Sequence, residues 1–243
     1  MGDGKINIWN EINSKTTGYT EAPDKEIVNL INNSKISTSL DVGAGNGRHT
    51  LFLAKNNVKT KAIDISIEGL KRLRMNAIDN GLEIETEVVS AKDYFDTNTY
   101  DLVLSTGGVL NFLKKDVAIE VIKRLKTYVS DGGYMYITVF TVHDNIFKRQ
   151  YEKSEQIEGN SYFSNKMGTW VSGFKDNELK ELFKDWQVIK YFEEDILDDG
   201  HGDLHYHHTA GILAKYKWFI YSKWFLIQQK LKGLFYVAII TGT

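Results

Sequence analysis

Residues Ser39 to Ala54 read SLDVGAGNGRHTLFLA: a short apolar run, three glycines at alternate positions, then the start of a periodic stretch with Leu51, Leu53 and Ala54. A strand that ends in Gly43, Gly45 and Gly47 can turn sharply and let a ligand approach its backbone, because glycine tolerates positive φ. The helix N-terminus that follows offers unpaired N–H groups. Dinucleotide sites place their third glycine five positions after the first (G-x-G-x-x-G). Here it stands four positions after, giving G-x-G-x-G, which argues against a dehydrogenase. Asp41, two residues before the first glycine, would repel a pyrophosphate but suits a ligand carrying an ammonium group. The methionine part of S-adenosyl-L-methionine is such a ligand, so the loop Gly43, Ala44, Gly45, Asn46, Gly47 and Arg48 together with Asp41 is assigned to that cofactor. The alternative is a glycine-rich turn that binds nothing.

The next strands extend this pattern. Val58 to Ile65 ends in Asp64, 21 residues after Gly43, near the spacing of about 20 at which a ribose-binding acid is expected. A carboxylate there can accept from both ribose hydroxyls, and Ile65 follows it into the site. Helix capping by Asp64 or Ser66 is the competing reading. A third strand, Ile84 to Val89, leads to Ala91, Asp93 and Tyr94; Asp93 is the expected reader of the adenine amino group, with Ala91 and Tyr94 as ring or backbone contacts. Ordinary turn chemistry would also put an acid there. A fourth strand, Tyr100 to Ser105, runs into Thr106, Gly107, Gly108 and Asn111. Ligands sit outside the carboxyl ends of parallel strands, so Ser105, Thr106, Gly107 and Asn111 are expected at the methyl end of the cofactor or at the substrate. A helix at about 115–129 and a strand at 134–140 continue the alternation, which argues a doubly wound α/β sheet with helices on both faces.

At this point the residues carry a likeness. The run from Ser39 to Tyr216 resembles a class I S-adenosyl-L-methionine-dependent methyltransferase, nearest to the tellurite-resistance protein B family, on four stretches: 41–54, 104–113 (LSTGGVLNFL), 131–139 (DGGYMYITV), and 173–195 with the last strand 209–216 (TAGILAKY). The resemblance implies a mostly parallel, seven-stranded Rossmann-like sheet whose last strand is antiparallel. It also implies a small acceptor: a thiol, a chalcogen oxyanion, or a small metabolite with a nucleophilic N or O. Ala44 stands where the family often has Cys, and a histidine cluster replaces the family's His-Arg arrangement.

The length suits one domain over 1–216; the resemblance implies that its N-terminal helical segment at 1–37 covers cofactor and substrate, and the aromatic and β-branched residues of the variable insertion 142–175 suit a hairpin or lid over the acceptor. Trp9 and Tyr19 in the first segment, and Tyr162 and Trp170 in the hairpin-like stretch 161–174, are substrate-side candidates; simple packing of aromatic residues is the alternative for each. Four of the six histidines fall in 201–208. On a strand His205 and His207 would share one face. One of them as a base or acceptor-orienting group, since imidazole titrates near pH 6.5, competes with a divalent-metal site including Asp199 or Asp203 and with an exposed polar turn. We take His205 and His207 as the catalytic candidates and assign no metal. Arg48 would steer an anionic acceptor or, as the preferred reading, pair with a local acid.

Composition narrows the classes. At 243 residues and 42% hydrophobic, the chain can bury one sizeable core. A formal net charge of −2 gives no broad electrostatic reason to bind nucleic acid. With no cysteine, disulfides, thiolate metal sites and a cysteine nucleophile are excluded. The opening MGDGKINIWNEI is polar and acidic rather than signal-like, and Ile6 breaks the M-G-x-x-x-[ST] lipidation pattern, so a cytoplasmic protein is expected. Residues 217–243 contain no acid, and Ile220, Trp224, Ile227, Leu231, Leu234 and Ala238 draw an apolar helical stripe among lysines. We expect this extension to pack on the domain or on a second copy through 217–240, rather than to lie on a membrane surface. A cofactor-binding module without catalysis, acting through that helix, is the alternative function.

Overall fold

Short buried runs alternate with amphipathic helices along this chain, and the computed structural model, which describes residues 3–15, 22–198 and 204–217, closes them into one large sheet. Five strands run parallel: β1 (Thr38–Val42), β2 (Lys59–Asp64), β3 (Ile84–Val88), β4 (Tyr100–Ser105) and β5 (Val129–Phe140). Two more, β9 (Gln187–Asp198) and β10 (His205–Lys215), complete the order β3-β2-β1-β4-β5-β10-β9. The last strand, β10, is antiparallel to both of its neighbours. The expected mostly parallel seven-stranded sheet is therefore present.

Alternation along the central strands explains why helices cover both faces. On β4, Val103 packs into a cluster with Leu40, Val42, Met135 and Ile137 beneath helix α5 (Lys115–Thr127), which contributes Ala118, Val121, Ile122 and Leu125 at helical spacing. Leu102 and Leu104 point the other way, into a cluster with Ile27 and Leu30 of α2 (Lys25–Asn33) and Leu53 of α3 (Arg48–Lys55). A strand buried on both faces must be apolar throughout, which is what the run Leu102-Val103-Leu104 supplies.

Helix α4 (Ile67–Asp79) begins at Ser66, whose hydroxyl accepts from Gly69 N at 3.0 Å. The first helix, α1 (Asp3–Lys15), is fastened to that same start: Asn10 Oδ1 accepts from Ser66 Oγ at 3.0 Å and from Glu68 N at 3.3 Å. After β5 come α6 (Asn145–Tyr151) and a small antiparallel sheet of β6 (Ile157–Glu158), β7 (Ser161–Ser164) and β8 (Thr169–Ser172). The one-turn helix α7 (Glu178–Glu181) precedes β9.

Two boundaries differ from the sequence reading. β5 starts at Val129, because the pairing to β4 jumps from Tyr100↔Val129 to Leu102↔Tyr134 and Asp131-Gly132-Gly133 bulge within the strand. β10 starts four residues earlier than the apolar run 209–216 indicated, since His205 to His208 pair with Asp195 to Asp198. Among the described residues no helix is long and apolar enough to cross a membrane. The apolar stripe from Ile220 onward and Tyr19 lie outside the described residues.

Candidate cofactor site and histidine cluster

Parallel register brings the ends of β1, β2, β3 and β4 to one edge: Asp41 pairs with Ala62 and Leu104, Val42 with Ile63, and Asp64 with Val88. The chain leaving β1 bends over β2, where Gly43 N and Ala44 N donate to Ile63 O at 2.8 and 3.1 Å. Gly43 takes φ +79°, and a Cβ there would meet Val109 Cγ2 at 2.2 Å. Only glycine fits both the left-handed backbone and the close approach.

A cavity opens at this edge, lined by Trp9 and Asn13 of α1, Asp41, Gly43 to Asn46, Arg48, His49, Asp64 and Ile65, Val89 to Ala91, Thr106 and Gly107, with Val109, Phe112 and Leu113 closing it. Asp41 is 2% exposed and accepts from Thr50 Oγ1 at 2.7 Å. Burial pushes its carboxyl above the ordinary range, with His49, Thr50 and Arg48 only partly offsetting it. Asp64 accepts from Gly45 N at 2.8 Å and from Ser66 N at 2.7 Å, so one carboxylate ties the glycine loop to the start of α4. Burial raises Asp64 as well, and the neighbouring Asp41 charge adds to that. Two desolvated acids facing one cavity favour a ligand with a cation and several hydroxyl donors. Asn46 Oδ1, buried and without a hydrogen-bond partner among the described residues, is a further acceptor at the loop.

Arg48 and His49, opening α3, form the cavity's second polar wall. Arg48 Nη1 lies 2.9 Å from Asp24 Oδ1, so the local-acid reading of Arg48 describes its geometry. His49 is buried; its Nε2 lies 3.2 Å from Asp24 N and 3.5 Å from Asp24 Oδ1, and Nδ1 lies 3.3 Å from Thr106 Oγ1. Burial alone would raise Asp24, but His49, Arg48 and the Tyr136 hydroxyl outweigh it and hold the carboxyl down to about 2.

A family model described as tellurite resistance protein TehB matches residues 11–220. The chain belongs to the TehB family. A curated relative, a probable S-adenosyl-L-methionine-dependent methyltransferase TehB from Haemophilus influenzae, is 26% identical over 166 residues, covering 68% of this chain and 49% of the relative. The chain thus spans about half the length of the curated TehB relatives it matches. Its fold is that of the crystal structure of TehB from Haemophilus influenzae, with a TM-score of 0.65 at 23% identity over 86% of this chain and 67% of that one. It is also similar in fold to the N-methyltransferase NodS from Bradyrhizobium japonicum in complex with S-adenosyl-L-homocysteine (TM-score 0.61, 12% identity, 88% of this chain and 98% of that one).

Several predicted residues of this TehB-family chain lie off the cavity. After β3 the backbone makes a turn in which Asp93 N and Tyr94 N both donate to Ser90 O. That turn sends Asp93 outward, where it pairs with Lys92 at 2.7 Å, and Tyr94 inward, where it packs edge-on to Tyr128 and donates to Asp96. Neither lines the cavity; Val89, Ser90 and Ala91 do. Gly47 is absent from the lining because it turns toward α4, and a Cβ there would meet Leu73 Cδ1 at 2.1 Å. Ser105 lies on the Val103 side of β4, buried away from the opening. Asn111 is consumed by the backbone: its amide donates to Phe140 O and Ser172 O at 2.9 and 2.6 Å, and its Oδ1 accepts from Phe140 N at 2.8 Å. The predicted hairpin at 161–174 exists, but its aromatics pack among themselves. Tyr162 is buried with Phe147 and Val171, and Trp170 meets Phe163 edge-on beneath Lys114.

His205 and His207 also lie off the cavity. They share a face of β10 as alternation requires, with their Nε2 atoms 3.1 Å apart. His207 is 7% exposed, stacks on Phe140 at 4.1 Å between centroids, and places Nδ1 2.8 Å from Asp144 Oδ2. Burial pushes Asp144 up, but hydrogen bonds from His207 and from Phe147 N and His208 N bring it below the ordinary carboxylate value. Phe140 in turn abuts Gly108, so the cluster stands one side chain beyond the Gly107 wall of the cavity.

Asn13, His49, Val89, Ser90, Val109, Phe112 and Leu113 line the cavity without having been predicted. His49 had a signal: it sits in the first turn of the helix that the glycine loop feeds. Asn13 and Phe112 had none, since long-range packing alone brings them over the site.

Proposed function

We propose that this chain binds S-adenosyl-L-methionine in the cavity at the ends of β1 to β4 and transfers its methyl group to a small acceptor. The acceptor classes are a thiol, a chalcogen oxyanion, or a nucleophilic N or O of a small metabolite. The observation that carries the reading is the pair of desolvated carboxylates, buried Asp41 and half-buried Asp64, facing one cavity across the backbone of Gly43 to Gly45. When bound, the cofactor supplies a methyl group on a sulfonium, a leaving group that needs little further activation. Asp41 would hold the cationic methionine end, its charge regaining the partner that burial removed. Asp64 would accept from the ribose hydroxyls while keeping its two backbone donors. Val89, Ser90 and Ala91 would flank the adenine, taking the place assigned to Asp93. Trp9 and Asn13 would exclude water from above, and His49 with Thr106 would line the transfer end. The protein's part in such a reaction is proximity, orientation and desolvation.

Calorimetry with S-adenosyl-L-methionine and S-adenosyl-L-homocysteine tests the binding half, with one equivalent of each expected. Failure of both to bind would contradict it. Release of S-adenosyl-L-homocysteine over a panel of thiols, selenite, tellurite and amines tests the transfer half; silence across the panel would leave a binding module instead of an enzyme.

A further inference from the structure

Outside the cavity, the densest arrangement of ligating atoms lies where β9 ends and β10 begins. Asp198 and His205 face each other in register, and His207 follows on the same face as His205. One ligand atom from each of the three lies within 4.8 Å of the other two. The two imidazole Nε2 atoms are 3.1 Å apart, and His207 Nε2 is 3.7 Å from Asp198 Oδ2. Ligand atoms on a tetrahedral zinc ion with bonds of about 2.0–2.1 Å lie roughly 3.3 Å from one another. Two of the three separations are thus near the spacing of donors that converge on one point.

The arrangement behind the ring agrees. Asp144 Oδ2 lies 2.8 Å from His207 Nδ1, so Nε2 is the ring nitrogen that His207 turns toward His205. A carboxylate behind an imidazole in this way fixes the tautomer and ring orientation that a metal ligand needs. Asp144 is itself held rigidly, since it caps α6 by accepting from Phe147 N at 2.7 Å and also accepts from His208 N at 3.2 Å. Stacking on Phe140 fixes the His207 ring from the side.

We propose that Asp198, His205 and His207 bind a divalent first-row transition-metal ion, with Asp144 as the residue that positions His207. Two imidazoles and one carboxylate suit zinc, cobalt or ferrous iron; magnesium and calcium prefer sets of oxygen ligands. The site lies at the same edge of the sheet as the cofactor cavity, separated from it by Phe140 and the Gly107-Gly108 turn. It does not depend on the methyl-transfer reading.

The test uses the full chain stripped with EDTA and titrated with Zn²⁺ by calorimetry and with Co²⁺ by visible absorption, neither of which requires S-adenosyl-L-methionine. One equivalent of each metal should bind, and millimolar Mg²⁺ should not displace it. His205→Ala and Asp198→Asn should each weaken Zn²⁺ binding at least tenfold while thermal unfolding shows both folded. Asp144→Asn should weaken it about 10- to 100-fold, as loss of an orienting carboxylate does. His143→Ala, which removes an exposed histidine paired with Asp176, should leave it unchanged. No uptake by the wild-type chain, displacement by Mg²⁺, or Zn²⁺ binding that survives either His205→Ala or Asp198→Asn undiminished would overturn the proposal.

Discussion

The two ends of the sheet's carboxyl edge are built by different means. On the β1 to β4 side, Asp41, Gly43, Gly45 and Asp64 reach one cavity through strand register and two short turns, with partners close in sequence. On the β5 to β10 side, the polar cluster is assembled from Asp144 and His207, 63 residues apart, around a phenylalanine from a third position. Local chain geometry places the first set, and tertiary packing places the second. The first is accordingly a cradle of backbone and desolvated carboxylates, and the second a network of mutually satisfied side chains.

The largest effect should separate binding from folding on the first side. Asp41→Asn removes a buried charge whose partner would be the cofactor's ammonium, so affinity for S-adenosyl-L-methionine should fall by about 2–5 kcal/mol, roughly 30-fold to several thousand-fold. The unliganded protein should unfold at the same temperature or higher, because the desolvated charge is gone and Asn can still accept from Thr50. Calorimetry beside thermal unfolding reads both. The same residue sets a pH dependence. Binding requires the ionised form of a carboxyl whose value is raised, so affinity should decline as pH falls through a range above that of ordinary carboxylates, and Asp41→Asn should flatten that limb.

On the second side the order should reverse. Asp144→Ala removes a helix cap and leaves buried His207 without its acceptor, at a cost of about 2–3 kcal/mol in urea unfolding. Cofactor affinity should change less than threefold. Between the two lies Gly43→Ala, which forces a Cβ into Val109 at positive φ and should cost about 1–3 kcal/mol of stability as well as cofactor affinity.

Asp24, which pairs with Arg48 behind the cavity's second wall, is shifted the opposite way to Asp41 and gives a stability dependence of its own. Its folded value of about 2 lies below the ordinary 3.8, so its interactions with His49 and Arg48 contribute fully above about pH 4 and are lost as pH falls toward 2. Asp24→Asn should remove that part of the acid-unfolding curve.

The fold was legible because its signals are periodic and local: buried runs at 40–42 and 102–104, the helical spacing of Ala118 to Leu125, and glycines where the chain must turn. The cavity acids Asp41 and Asp64 were legible for the same reason. Asp93 and Tyr94 were misassigned because one turn decides which of two adjacent side chains faces inward, and no spacing in the sequence records that choice. Asn111, Tyr162 and Trp170 failed differently, since each is engaged by segments distant in the chain. The histidines were found as a group and their shared face was read correctly. Their partner Asp144 was not seen, because nothing near it in sequence points to β10.

The smallest effect sharpens the contrast within the cofactor side. Asp93→Ala should shift stability by no more than about 0.5 kcal/mol and leave cofactor affinity unchanged, since Asp93 is an exposed acid whose side chain, among the described residues, pairs with Lys92.

The central claim is that the buried carboxylate at the end of β1 holds the cofactor's cationic end. Titrating S-adenosyl-L-methionine into the wild-type chain and into Asp41→Asn at the same pH tests it most directly. One equivalent should bind to the wild type and at least 30-fold more weakly to the variant, with both folded. Equal binding to the two proteins, or none to the wild type, would contradict the account.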